Sequence, residues 1–551
     1  MTGSEYGSEV SSRATMCFWR GVCLALVVWA TMTHPATARQ LPGDVNDPYT
    51  AYARTLQLVG DSSVSASGLI LPMWDVTSAS GGPWSERPWF GDRWVSSHGV
   101  HPSWWGIQGQ ALYVSGYPTD RLDGPIWRGK GMTVAADAGV GWRYGPLHVT
   151  LAPNVYWSEN RRFDLWPVGF EGQPSEAYPW RWIDWPQQQG SDPFVGFGAG
   201  QSEVALRTSA VTFGLSTRNR RWGPGIENSI VLGSSAAGFP HVFVSTSRPL
   251  DSAIGRFEGQ WLYGRLARSR SFLPEESDPG RYATGFAFVW TPRWTSGLHV
   301  GSSLMTYAYV PKGVAEGNGT PDDVEVSRGT ESDQLGSIFF RWVLPSSSFE
   351  VYGEWARNDR WGDIHDLLLE PEHSQGYTLG LQKVLGVGSD QLLTVSAELT
   401  HLEAAGTSRL RDSPTFYAHS YVLEGYTHQG QLLGAVVGPG GNQQHVGLTW
   451  YGPSGSVAVW FRRRVRDNDA LYYWAERTDF DGCLYCAHDV TFEVGGELSR
   501  TIGGREVGVS ADGARQRNRW FEGPDVWHLG LGVRIRTLRR AGHDNAPIQE
   551  R

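Results

Sequence analysis

From residue 105 onward the chain repeats one pattern. Apolar and polar residues alternate over about ten positions, and then a turn or loop intervenes. In LLTVSAELTH (392–401), Leu393, Val395, Ala397 and Leu399 share one face, and Thr394, Ser396, Glu398 and Thr400 share the other. VWHLGLGVRIRT (526–537) sets Trp527, Leu529, Leu531, Val533 and Ile535 against His528, Gly530, Gly532, Arg534 and Arg536. SFEVYGEW (348–355) and VTFEVGGELS (490–499) place Glu350, Glu354, Glu493 and Glu497 on their polar faces. A period of two predicts β-strands, and about ten residues is what a tilted strand needs to cross a bilayer. A packed sandwich core would reject a face of Glu, Arg and His. A membrane barrel requires that arrangement, with lipid outside and a wet lumen inside. The alternative is a soluble all-β protein with one wet face per sheet.

Link lengths also alternate. Short links occur at 144–146, 346–348, 386–389, 453–454 and 502–504. Long links fall at 158–200, 219–240, 311–332, 357–375 and 466–489. Outer-membrane barrels have short periplasmic turns and long outer loops. With both chain ends periplasmic, strand one must run outward. If MTVAADAGVGWR (132–143) were first, every long loop would lie inside. An earlier strand is therefore expected at IQGQALYVSG (107–116), and SYVLEGYTHQGQLLG (420–434) is expected in an outer loop and not in the wall. The expected fold is an all-β, antiparallel transmembrane outer-membrane β-barrel of about 18 strands over residues 106–537. Residues 538–551 form a periplasmic tail. Residues 39–105 form a small periplasmic cap or plug, in which Asp47 and Pro48 start a short helix.

The N-terminus adds the compartment. Arg13 and Arg20 precede the apolar run GVCLALVVWATM (21–32), and small residues follow to Ala38. This order is that of a cleaved secretory signal over residues 1–38, with Met16 the expected start. The competing reading is a membrane anchor, for which the run is short. Cys17 and Cys23 lie in the signal, so the mature chain keeps Cys483 and Cys486, expected to form a loop disulfide in an oxidising compartment. A formal net charge of -9, with lysine only at Lys130, Lys312 and Lys383, excludes the basic stripe a nucleic-acid partner needs. No nucleophile elbow, zinc-protease helix or phosphate loop is present, and GFGAGQ (196–201) opens no helix. No cofactor, metal or enzymatic activity is expected.

RWGPGIENSIVLGSSAAGFPHVFVSTSRPL (221–250) resembles the signature block of the Wzi capsule-assembly family of outer-membrane proteins. LLLEPEHSQGYTLGL (367–381), HSYVLEGYTHQGQLLGAVVGPGGN (419–442) and WRGKGMTVAADAGVGW (127–142), followed by LAPNVYWSENRRF (151–163), are similar to further blocks. The resemblance implies a barrel of about 18 strands with an N-terminal plug. It implies lectin-like retention of capsular or extracellular polysaccharide, and not synthesis or export. A porin passing small solutes or glycan through the lumen is the alternative function. Outer-membrane lipid is the other expected partner.

Candidate sites follow from side-chain chemistry. In WGPG, Gly223 and Gly225 permit positive φ while Pro224 stiffens the turn between them. Trp222 then offers a sugar-stacking face, or the loop folds inward and narrows the lumen; the apolar continuation favours the second. Arg218, Arg220 and Arg221 suit uronate carboxylates, or pair in the lumen with carboxylates such as Glu227. Asp359, Arg360 and Trp361, and then Tyr472, Tyr473 and Trp474, mix aromatic and polar groups on outer loops. That mix suits carbohydrate contact, and solvated loops are the plainer reading.

Overall fold

The structure is a computed structural model. It describes residues 48–60, 67–71, 103–118, 124–169, 172–272, 280–310, 332–358, 368–386, 391–409, 411, 415–477, 487–503 and 505–537. The expected signal segment (1–38) and the expected tail (538–551) lie outside the described residues.

Eighteen antiparallel strands close into one barrel. The first five are β1 (Ser103–Val114), β2 (Gly131–Tyr144), β3 (Leu147–Leu151 continuing as Asn154–Ser158), β4 (Phe194–Gly198 continuing as Glu203–Arg207) and β5 (Val211–Ser216). Next come β6 (His241–Thr246 continuing as Leu250–Ser252), β7 (Gly255–Leu266), β8 (Arg281–Pro292), β9 (Leu298–Tyr309) and β10 (Ser332–Leu344). Then follow β11 (Phe349–Asn358), β12 (Gln375–Gly386), β13 (Leu392–His401) and β14 (Asn442–Gly452). The last are β15 (Gly455–Arg466), β16 (Asp489–Ile502), β17 (Arg505–Arg517) and β18 (Val526–Thr537). β1 pairs with both β2 and β18, which closes the seam; there Arg536 Nε donates to Gln108 Oε1 across 428 positions of sequence.

The wall contains a strand ahead of residue 132 and an even number of strands, as expected. The first strand overlaps the expected segment but is shifted, running from Ser103, inside the stretch assigned to the cap, to Val114. Residues 420–434 stay out of the wall and form only a small internal ladder, Thr427–His428 with Gln431–Leu432. One assignment needs correction. The glycine-rich GFGAGQ is not a loop but the break inside β4, so the long link after β3 ends before Phe194.

The amphipathicity has the sense lipid requires. On β13, Leu393 and Val395 are only partly covered and Leu399 is exposed, whereas Thr394, Glu398 and Thr400 are buried. On β18, Trp527, Leu529, Leu531, Val533 and Ile535 are exposed, while His528 is buried. The polar face is the covered one because protein fills the lumen.

That filling comes from both mouths. Helix α1 (Pro48–Leu58) begins at the expected proline, whose missing N–H costs nothing at a first-turn position. Its Tyr52, Leu56 and Leu58 pack against Val343, Val384, Leu392 and Tyr451 near the short turns. Residues Ile70–Leu71 then pair antiparallel with Arg221–Trp222. Outer-loop residues 178–188, 218–240 and 416–438 interlock inside the wall: Gly233 N donates to Leu433 O at 2.7 Å, Asp184 N to Glu424 O at 2.9 Å and Tyr426 Oη to Val231 O at 2.7 Å. Leu69, Ile70, Trp222, Ile230, Val231, Tyr417 and Leu433 share one apolar cluster.

Candidate binding site in the outer lumen

The WGPG segment is an inward latch. Trp222 is fully buried, its backbone N–H donates to Leu232 O at 2.9 Å, and its indole Nε1 donates to Gln260 Oε1 at 2.8 Å. No ring face is left for a sugar, so Trp222 is an anchor and not a platform. Gly223 takes φ +97°. Gly225 does not have positive φ; it is needed for space, since a Cβ there would lie 2.1 Å from Asn228 O. Beyond it, the N–H groups of Ile226, Glu227 and Asn228 all donate to the Glu398 carboxylate, the shortest at 2.6 Å. Three converging backbone donors fix the bend.

The three arginines ahead of the latch are also committed inward. Arg220 lies 2.6 Å and Arg218 3.7 Å from the Glu203 carboxylate, and both are buried. Burial, together with the neighbouring Arg54, pushes the Arg221 guanidinium down to about 10. Glu227 is not their partner. It pairs with Arg462 at 2.6 Å and lies 3.6 Å from His445 Nε2. Tyr472 and Tyr473 are exposed on helix α2 (Asn468–Arg477) in the loop after β15. The side chain of Trp474, and Asp359, Arg360, Trp361, Cys483 and Cys486, lie outside the described residues.

Burial alone would raise the Glu227 carboxyl, but Arg462 and then His445 outweigh it and hold it at about 2, against 4.5 for an ordinary glutamate. Its folded value is depressed, so its contribution is full above the ordinary value and is lost as pH falls from about 4.5 toward 2, on the order of 3 kcal/mol in all. The melting-temperature gap between the parent and Glu227→Gln should therefore close across that window. A gap that stays constant from neutral pH to pH 2 would contradict the pairing.

The open space lies beside this latch, against β15–β18. Period two on FRRRVR (461–466) turns Arg462, Arg464 and Arg466 to the lumen and Phe461, Arg463 and Val465 to the lipid side. The turn after β17 holds Asn518, Trp520 and Phe521 at φ 49°, 56° and 77°. Each costs on the order of 1–2 kcal/mol without glycine. Bonds such as Trp520 N to Asp489 Oδ2, at 3.0 Å, hold the turn. The strain presents Trp520 edge-on to Tyr178 at 5.4 Å, and Tyr178 stacks on Trp185 at 5.3 Å. The Arg466 guanidinium sits 5.1 Å from the Trp520 ring and 5.3 Å from Trp185, and Arg519 lies 3.3 Å over Tyr117. Burial pushes Arg519 down to about 10. Arg181 and the Tyr178 hydroxyl both bond Asp467, at 2.6 and 2.8 Å, which ties residues 178–185 to the start of α2.

Tyr117, Trp127, Arg462, Arg464, Glu493 and His528 complete the walls of this cavity. Among the described residues, the buried indole N–H groups of Trp127 and Trp520 have no acceptor. Aromatic faces, forked guanidiniums and free N–H donors together suit a ring with an apolar face and a polar or acidic edge. The sequence reading missed this site. The alternating arginines of FRRRVR, opposite the aromatic run YPWRWIDW (178–185), were the available signal.

A family profile described as "Capsule assembly protein Wzi" matches residues 194–502, more than half of the chain. Among solved structures, the chain resembles Wzi of Escherichia coli with a TM-score of 0.60 at 12% identity, covering 90% of this chain and 99% of that one. That protein is described as an outer-membrane protein involved in group 1 capsule assembly and as a carbohydrate-binding β-barrel. OprB of Pseudomonas putida matches with a TM-score of 0.36 at 12% identity, over 79% of this chain and 94% of that one. OccK2 of Pseudomonas aeruginosa matches with a TM-score of 0.38 at 9% identity, over 79% and 96%. No curated protein sequence matches significantly.

Proposed function

The chain belongs to the capsule assembly protein Wzi family, and from that premise we propose that it retains capsular or extracellular polysaccharide at the cell surface by binding it, without cleaving or transporting it. The observation that carries this reading is the aromatic and arginine-lined cavity in the outer lumen, with its two unpartnered indole donors. The aromatic lining of Trp185, Trp520 and Tyr117 borders the pyranose ring, and Arg464 and Arg466 take the carboxylates of an acidic polymer. Tyr472 and Tyr473 extend the contact along α2. A leader cleaved after residue 38 delivers the chain, and the segment between the leader and β1 acts as the periplasmic plug. The packed lumen supports retention over a solute channel, because Arg54, Trp222 and Tyr417 are buried in its interior.

Binding of purified acidic polysaccharide fragments to detergent-solubilised protein tests this. Arg464→Gln with Arg466→Gln should weaken binding about tenfold or more, given about 1.5–3 kcal/mol for a charged hydrogen bond. Trp185→Ala should weaken it comparably. Unchanged affinity in both variants would remove the cavity from the proposal.

A further inference from the structure

The lipid side of β14–β18 changes character within one residue pair near the outer rim. Ladder register sets Val446, Phe461, Val494 and Leu529 in one row, all apolar and exposed. The next row outward is Gln444, Arg463, Phe492, Arg515 and Trp527, and the row beyond brings Asn442, Val465, Val490 and Arg517. Between these strands runs a groove of about 880 Å³ including its open side. Its floor is Val465, Val490 and Phe492; its walls carry Arg463, Arg517, His488 and three asparagines.

Among the described residues, the positive charge of this groove is only partly compensated. Arg463 Nη1 donates to the neutral oxygens Asn442 Oδ1 and Gln444 Oε1, at 3.0 and 2.8 Å. Arg517 Nε lies 3.9 Å from Asp525 Oδ2, a carboxylate already bonded to Arg515 at 2.8 Å. Glu403, a further nearby acid, is occupied by the side-chain amides of Asn442 and Asn468. The neutral partners orient the Arg463 guanidinium without cancelling its charge, at the depth where the apolar wall ends.

We infer that this groove seats the phosphate-bearing headgroup of an outer-leaflet glycolipid. Arg463 and Arg517 bind the phosphate, the asparagines bind sugar hydroxyls, and the acyl chains lie along the Val446–Leu529 row. The occupant is a lipid because the site is on the lipid side, its floor is apolar, and it continues directly into the exposed apolar rows. The lumen cavity and its polysaccharide are not involved.

The test uses full-length protein in detergent micelles and native mass spectrometry with bisphosphorylated lipid A, its dephosphorylated form and phosphatidylglycerol. The parent should retain bisphosphorylated lipid A about tenfold better than either other lipid, and Arg463→Gln with Arg517→Gln should remove that preference while leaving heat-modifiable migration and polysaccharide binding intact. Equal retention of phosphorylated and dephosphorylated lipid A by the parent overturns the proposal without any mutant. Equal retention of phosphatidylglycerol reduces the groove to a general anionic interface and also overturns it. Loss of polysaccharide binding in the folded variant, with lipid A retention unchanged, assigns the arginines to the polymer instead.

Discussion

A Glu350→Ala barrel is expected to conduct where the parent is silent. Glu350 is fully buried and bridges two buried guanidiniums, accepting from Arg54 Nε and Arg341 Nε at 2.7 Å each. Arg54 reaches on to Pro224 O at 2.7 Å, and Arg341 to Gln57 Oε1 and Ser67 O at the same distance. One carboxylate thus joins α1, the strand segment after it, the WGPG latch and the wall. Removing it leaves two buried cations without compensation, which costs about 3–5 kcal/mol. Undocking α1 relieves that cost by returning Arg54 to water. The wall keeps its ladder, which depends on backbone groups. Planar-bilayer recordings should show stable open steps, and α1 should become accessible to protease. Arg54→Ala is the milder control, since Glu350 keeps Arg341. Silent recordings with α1 as protected as in the parent would refute the latch.

Trp222→Ala should be nearly as disruptive, by a different route. It removes the largest fully buried side chain, at about 3–5 kcal/mol, and strands the buried Gln260 oxygen, at about 1–3 kcal/mol. Residues 218–240 then lose their hold on Ile70. Glu227 moves with them and releases Arg462, whose other carboxylate partner is Glu493 at 2.9 Å. Arg462 and Glu493 both line the cavity. Affinity for acidic polysaccharide should fall by at least about tenfold, with heat-modifiable migration unchanged. Trp222→Phe should lose only the hydrogen bond and sit between the two. Parent-like affinity and proteolysis in the alanine variant would show that the latch does not support the cavity.

The wall was legible in the sequence because one solvent enforces it. Lipid on one side of every strand makes period two nearly unbroken, and Leu529, Leu531 and Val533 declare their face without any partner being known. The interior had no such rule. Glu398 looks like any lumen carboxylate in LLTVSAELTH, yet it organises three backbone N–H groups of a loop 170 to 172 positions away. Arg218 and Arg220 read equally as uronate ligands or as lumen partners of a carboxylate such as Glu227; they pair in the lumen, with Glu203 of β4. The cavity was hidden for a related reason. Its Trp520 is presented by positive φ at Trp520 and Phe521, residues with no local preference for it, and bonds to distant groups such as Asp489 impose that turn. Gly225 shows a smaller gap: glycine was read as conformational freedom where the need was room for a carbonyl.

The seam between β1 and β18 has a consequence for how such a molecule comes into being. A sandwich or a bundle shortened by one element still has most of its partners. Here every strand is flanked on both sides only when Val526–Thr537 has met Ser103–Val114, across more than four hundred positions. A chain stopped anywhere before β18 has two raw edges, with rows of N–H and C=O groups that lipid cannot solvate. Its interior segments, α1 and the WGPG latch included, then have a sheet to lean on but no enclosure. The enclosed state is reached all at once or not at all, and the last twelve-residue strand decides the fate of everything translated before it.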